Sequence, residues 1–236
     1  MRYADKIVLV TGARRGVGRL IADHCLREAA QVIGFSRHDD DENPREGFTS
    51  LAVDVGNPDS VARGFEQVRK RFGRVDIAIN NAAVLTSQYS MIMPADAVRS
   101  MLDTNILGTF LVSREAAKLM RKNKWGRIIN IGSMAASLEP IGDSVYAASK
   151  AAISTLANVM AKEFATLNIT CNTLGISGIA TDMLSQLPKD KIDGVIAGLT
   201  LPRYAKADDI FNVVDFFASE RSAYITAQTV FLGGVN

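Results

Sequence analysis

A doubly wound α/β domain, one parallel sheet with helices on both faces, is the fold that this sequence predicts, and three observations carry it. Short, continuously apolar runs alternate with longer runs of helical spacing along the whole chain. The first apolar run opens into a glycine-rich turn, Thr11-Gly12-Ala13-Arg14-Arg15-Gly16-Val17-Gly18. A chain of 236 residues with 47% hydrophobic content is of the size and composition of one α/β domain with a sheet covered on both sides.

Taken in order, residues 7–10 read as a buried strand. Residues 17–29 follow as a helix, with Val17, Leu20, Ile21, His24, Cys25 and Leu26 at the spacing of one face. A strand over 31–36 leads into a polar loop whose acidic run, Asp39-Asp40-Asp41-Glu42-Asn43-Pro44, reads as solvated. A strand over 49–54 precedes a helix over 59–72, where Pro58 suits the first turn. Then come a strand over 75–80, a long helical stretch over 95–121, a strand over 127–131, a helix over 146–167 and a strand over 169–174. A long loop, a helix over 208–218 and a strand over 229–232 complete the chain. Repeated β-α-β order with right-handed crossovers gives a Rossmann-type sheet. No repeat or linker marks a second domain, so residues 1–236 read as one.

Composition excludes several function classes. A net charge of +2 is too small to argue for nucleic acid or an anionic membrane as partner. No uncharged segment approaches the roughly 18 residues that span a bilayer, and the opening Met1-Arg2-Tyr3-Ala4-Asp5-Lys6 has no signal-peptide pattern, so a cytoplasmic location is expected. Cys25 and Cys171 read as small buried thiols rather than a disulfide. His24 and His38 are isolated from any Cys/His/Asp cluster, and no metal site is expected.

Gly12, Gly16 and Gly18 let backbone approach a pyrophosphate, whose charge is favoured by the amides that open the next helix. Arg14 and Val17 lie in the same turn. A fold that binds NAD usually presents a carboxylate at the end of the second strand, whereas this chain reads Phe35-Ser36-Arg37. Ser36 offers a hydrogen bond, and Arg37 and Arg15 offer charge to a 2′-phosphate, so NADP(H) is favoured over NAD(H).

Tyr146 follows Ser133 by thirteen positions, and Lys150 lies one helical turn further on. Hydride transfer to a carbonyl needs a proton donor for the developing alkoxide and a group that polarises the carbonyl. Tyr146 is the candidate acid. A cation at Lys150 has the reach and sign to lower its pKa, and Ser133 can hold the substrate oxygen from the other side. All three residues are expected near the C-terminal edge of the sheet, where open α/β folds place ligands.

These motifs resemble those of the short-chain dehydrogenase/reductase family over essentially the whole chain. The match includes the TGxxxGxG turn, Asp54 after the third strand, Asn80-Asn81-Ala82 after the fourth, and the set Ser133, Tyr146 and Lys150. The resemblance implies that Asp54 and Val55 border the adenine, that Asn81 and Ala82 stand beside the cofactor, and that Lys150 also binds the nicotinamide ribose. It implies that Asn105 is a fourth catalytic residue holding a relay water, and that Ile176 and Thr181 contact the carboxamide. It also implies a homotetramer, with the Asn105 to Met120 stripe and residues 224–235 as candidate interfaces. Two departures stand out: Ala83 replaces the family's glycine after Asn-Asn-Ala, and Leu174 replaces its proline before Gly175.

The pattern is closest to 3-oxoacyl-carrier-protein reductases, which makes an acyl-carrier-bound 3-oxoacyl thioester the first substrate expectation. Lys122, Lys124 and Arg127 would form a basic docking cluster, although the second expected basic position is Leu167-Asn168. A small ketone, aldehyde or sugar-derived carbonyl is the alternative small-molecule substrate, and a non-catalytic dinucleotide sensor a further one. Residues 177–205, with Met183, Leu184, Leu187, Val195, Ile196 and Leu199 at helix-like spacing, read as a substrate lid. Tyr89, Met91 and Met93 are candidates for the opposite wall.

Overall fold

The computed structural model of the chain describes residues 2–38, 45–179 and 189–235. The acidic run 39–44 and, from the expected site and lid, Thr181, Met183, Leu184 and Leu187 lie outside the described residues. The strands are β1 (Ile7–Thr11), β2 (Gln31–Ser36), β3 (Phe48–Ala52), β4 (Ile77–Asn80), β5 (Gly126–Ser133), β6 (Ile169–Ile176) and β7 (Thr229–Phe231). They form one sheet in the order β3-β2-β1-β4-β5-β6-β7, with every neighbouring pair parallel. The helices are α1 (Gly16–Arg27), α2 (Pro58–Phe72), α3 (Ala95–Met101), α4 (Gly108–Met120), α5 (Ala135–Leu138), α6 (Ser144–Phe164), α7 (Lys189–Ala197) and α8 (Ala207–Ala218).

The continuously apolar strands feed two cores because successive side chains point to opposite faces. Ile7 and Leu9 of β1 join a core with Val61 and Phe65 of α2, Val112 of α4 and Met160 of α6. Val8 and Val10 join the other core, with Ile21 of α1 and Val214 of α8. Cys25 and Cys171 are buried free thiols in these layers, as their apolar surroundings in the sequence predict. Strand order reverses between β1 and β4, and that reversal opens a crevice beyond the strands' C-terminal ends.

Local sequence explains the cleanest boundaries. Asn57 caps α2 by accepting from the Ser60 amide at 2.9 Å, Pro58 occupies its first turn, and Gly73 ends it in the left-handed region at φ 73°. The stretch expected as one helix over 95–121 is instead broken. Between α3 and α4, residues Leu102–Leu107 form a π-helical turn that holds Asn105. Gly108 then starts α4 hard against Val55, since a Cβ there would lie 2.8 Å from its Cγ2. Leu174 at the family's proline position is fully buried, in register with Ile131 of β5 and Val230 of β7. Proline's ring would forfeit the amide that a strand flanked on both sides can use.

Candidate active site

A cleft of about 990 Å³ opens at the C-terminal edge of the sheet. At one end it is lined by Gly12, Arg14, Arg15, Gly16 and Val17 of the first turn. Ser36 and Arg37 follow β2, and Asp54 and Val55 follow β3, all on the same wall. Asn81 and Ala82 after β4 lead to Ser133, Tyr146, Lys150 and Ile176 at the other end. The sequence separates these segments by up to some 160 positions; parallel pairing brings all their strand ends to one edge.

The glycine turn is built for close approach. Gly12 and Gly16 sit at φ +66° and +55°, backbone that other residues rarely adopt. Thr11 Oγ1 accepts from the Asn81 and Ala82 amides at 3.0 and 2.9 Å, and Asn81 Nδ2 donates to Thr11 O at 2.9 Å. Asn81 thus ties the turn after β1 to the loop after β4. Gly18 stands behind the cleft wall: a Cβ there would meet Gly12 O at 2.2 Å. Arg15, the N-cap of α1, makes no side-chain cap bond, and the first turn holds no acidic residue. Amides of that kind, under a glycine cradle and beside arginines, fit a dinucleotide pyrophosphate.

At the other end, α6 presents Tyr146 and Lys150 on one face, with both side chains almost fully buried. Burial pushes the Tyr146 phenol up to about 12, and the negative charge of Asp143 adds to this, while a hydrogen bond with Ser133 opposes it. The phenol therefore carries its proton at neutral pH. Burial lowers the Lys150 ammonium to about 8. Its Nζ donates to Ile131 O at 2.8 Å and lies 5.8 Å from the centre of the Tyr146 ring. In this geometry desolvation is the largest influence on the phenol, and the Lys150 ammonium is held on a backbone carbonyl.

Asn105 stands behind the cleft, fully buried. Its Oδ1 accepts from the Val84 amide at 2.9 Å, and its Nδ2 donates to Val84 O and Ser149 Oγ, each at 3.0 Å. Its own carbonyl accepts from Thr109 Oγ1 at 2.8 Å. The side chain is thus a tie between the loop after β4 and the helix bearing Tyr146 and Lys150.

Two expectations are corrected. Tyr89 and Met91 are exposed and do not line the cleft, and Met93 packs instead against the small cluster around Met101 and Tyr146. Arg127 is fully buried, stacked 4.5 Å over Trp125 and donating to Ser219 O and Gly126 O. With Lys122 and Lys124 it lies at the N-terminal end of β5, the edge of the sheet opposite the cleft, so in one chain these residues form no rim. The described part of the expected lid, 177–179 and 189–205, includes α7; Ile192 and Ile196 of that helix, with Leu199 just beyond it, pack on Met134, Leu138 and Val235. Among the cleft residues that sequence reasoning did not single out are His38 beside Arg37 and Asp143 before Tyr146. The signal for each was adjacency to a residue already singled out.

A doubly wound sheet with a glycine cradle and a Ser-Tyr-Lys group in one cleft defines a dinucleotide-dependent oxidoreductase. The family model described as short chain dehydrogenase matches residues 6–192, and the chain belongs to that family, which uses nicotinamide cofactors. The chain is 34% identical to the 3-oxoacyl-(acyl-carrier-protein) reductase of Escherichia coli (strain K12), over 99% of this chain and 98% of that one. It is 33% identical to the reductase of the same name from Pseudomonas aeruginosa, at the same coverage. Among solved structures, the aldohexose dehydrogenase of Thermoplasma acidophilum is similar with TM-score 0.89 and 28% identity, covering 98% of this chain and 94% of that one. A candidate gluconate dehydrogenase from Agrobacterium tumefaciens is similar with TM-score 0.91 and 26% identity, covering 98% and 95%. Among the described residues no helix is long and apolar enough to cross a membrane.

Proposed function

We propose that this chain reduces a carbonyl to a secondary alcohol with NADPH, in the cytoplasm, with Tyr146 as general acid. The observation that carries the reading is the protonated, buried Tyr146 phenol bonded to Ser133, in the same cleft as the glycine cradle. The bound nicotinamide would supply hydride to the carbonyl carbon. Tyr146 gives its proton to the substrate oxygen, and Ser133 holds that oxygen in line. Lys150 keeps a positive charge beside the phenol as it ionises and binds the nicotinamide ribose. Asn105 positions α6 against the loop after β4. Ser36, Arg37 and Arg15 hold the 2′-phosphate, Asp54 and Val55 border the adenine, and Ile176 and Thr181 contact the carboxamide. Residues 177–205 act as the lid of a single domain.

The first substrate reading is a 3-oxoacyl thioester, supported by full-length similarity to reductases of that name. A small hydroxylated carbonyl is the second, favoured by the acid Asp143 in the cleft and by similarity to two sugar-dehydrogenase structures. A homotetramer is part of the proposal: Phe110, within the Asn105 to Met120 stripe, and Tyr224, in the segment 224–235, are exposed large apolar side chains of the candidate interfaces. Light scattering giving only the 25.5 kDa monomer at micromolar concentration would count against it.

The test follows NADPH oxidation with acetoacetyl-carrier protein, acetoacetyl-coenzyme A, simple diketones and sugar-derived ketones. Turnover with the thioesters above all others is expected. No turnover with any carbonyl refutes the reductase reading, and equal or better efficiency with NADH refutes the phosphate site. In Arg37→Asp the loss should fall on NADPH and not on NADH.

A further inference from the structure

Helix α7 is held at the substrate end of the cleft by a part of the chain that the chemistry above does not use. Ile192 and Val195 of α7 line that end, together with Met134 and Leu138 from beyond β5. Ile192, Ile196 and Leu199 are buried in a small cluster distinct from the two cores of the sheet, and Met134, Leu138 and Val235 pack on it. Val235 arrives there by a short run beyond β7. The Leu232 amide still donates to Gly175 O at 2.9 Å, and Gly233 and Gly234 then take left-handed backbone at φ +83° and +70°. Gly233 O accepts from the Leu201 amide at 3.0 Å, and Gly234 O accepts from the Thr200 amide at 3.3 Å and from Thr200 Oγ1 at 2.9 Å. The fit is close: a Cβ on Gly233 would press on Leu199 Cδ1 at 3.1 Å, and one on Gly234 would overlap Thr200 Cβ at 2.6 Å. On its exposed side α7 has a further tie, from the Tyr204 hydroxyl to Asp193 Oδ1 at 3.1 Å, where water competes.

We infer that residues 232–235 are a brace for α7 and that Val235 is a positioning residue for the substrate, which it does not touch, by keeping Ile192 and Val195 in place as an apolar wall. The inference rests on the cleft's being the substrate site of the proposed reductase. Helix α7 has nine residues, too few to be stable by itself in water, so its place and its helicity come from packing. With so small a cluster beneath it, each side chain that packs there carries a large share. A wall already in place spares the substrate the cost of ordering it. That wall meets the substrate in the ground and transition states alike, so Val235 acts on KM and not on kcat.

Amide hydrogen exchange of the full-length protein without ligand reads the brace directly. In Val235→Ala the amides of residues 192–199 should exchange roughly fivefold faster, the equivalent of two half-buried methyl groups, while those of β5 keep the parent's rate. Gly234→Ala strikes the same contact from the backbone and should do at least as much, whereas Val235→Ile should keep the parent's rate. Exchange of α7 unchanged in both alanine variants overturns the inference. On a carbonyl that the parent reduces, the smaller fraction of molecules with the wall in place should raise KM in Val235→Ala by about two- to threefold with kcat unchanged. A fall in kcat at constant KM, or faster exchange with both constants unaltered, overturns the positioning role. Adenosine 2′,5′-bisphosphate, which reaches only the phosphate end of the cleft, should bind parent and variants alike, and weakened binding would show general loosening and overturn it too. Because residues 224–235 are also a candidate interface, light scattering accompanies each variant, and a changed mass would assign the segment to contact between copies and overturn the brace. A protein that reduced no carbonyl would refute the reductase reading, and the exchange rates would still decide the brace.

Discussion

Replacing Asn105 with alanine should destabilise the protein by about 3 kcal/mol, and the structure shows where that figure arises. The substitution removes three hydrogen bonds at once, two to the Val84 backbone and one to Ser149 Oγ. A typical net bond contributes about 1 kcal/mol, and a buried partner left unsatisfied costs about 1–3 kcal/mol. Val84 is only partly buried, so water can recover some of its loss, whereas Ser149 is fully buried and still donates to Tyr146 O at 2.7 Å. For a chain of this size 1 kcal/mol shifts Tm by about 2–4 °C, so Tm should fall by roughly 6–12 °C. Thermal unfolding followed by circular dichroism checks this. Ser149 neighbours Lys150, so carbonyl turnover should decline alongside stability, and more than NADPH affinity does. A variant melting within about 2 °C of the parent would refute the view that Asn105 ties the loop after β4 to α6.

Tyr146→Phe should leave NADPH binding nearly intact and lower turnover on an accepted ketone by at least about a hundredfold, the scale of lost general acid catalysis; equal turnover would contradict the role. The pH profile should show Lys150, because burial lowers its ammonium to about 8. The charged form prevails below that value and is lost above it, so kcat/KM for NADPH should fall as pH rises through about 8. Lys150→Arg should move that fall upward, and a flat profile to pH 10, near an ordinary lysine's range, would contradict the assignment. Gly18→Ala reverses the usual helix preference for alanine: its Cβ would lie 2.2 Å from Gly12 O. Fluorescence titration should show NADPH binding weakened severely, whereas unaltered binding would mean that the turn does not form the cradle.

Much of the architecture is legible because its determinants are local. Short, β-branched apolar runs such as Val8-Leu9-Val10, closed by a glycine turn, read as strands buried on both faces, and Asn57-Pro58 announces a helix start without any tertiary information. The break at Asn105 is not legible that way. A π turn costs intrahelical geometry and persists because buried partners, Val84 and Ser149, reward it from distant parts of the chain.

By itself, then, the sequence determined the order of strands and helices, the glycine cradle and the spacing of Ser133, Tyr146 and Lys150, since each depends on neighbours within a few turns of the chain. Tertiary structure alone decided the electrostatics and the reach of the site. Burial is the largest influence on the Tyr146 phenol, raising it. Arg127, a docking residue by its charge, is folded into the interior at the far edge of the sheet, and Asp143, an unremarked N-cap by its position, faces the cleft. Desolvation and through-space juxtaposition come from residues far apart in sequence, and periodicity along a chain carries no record of them.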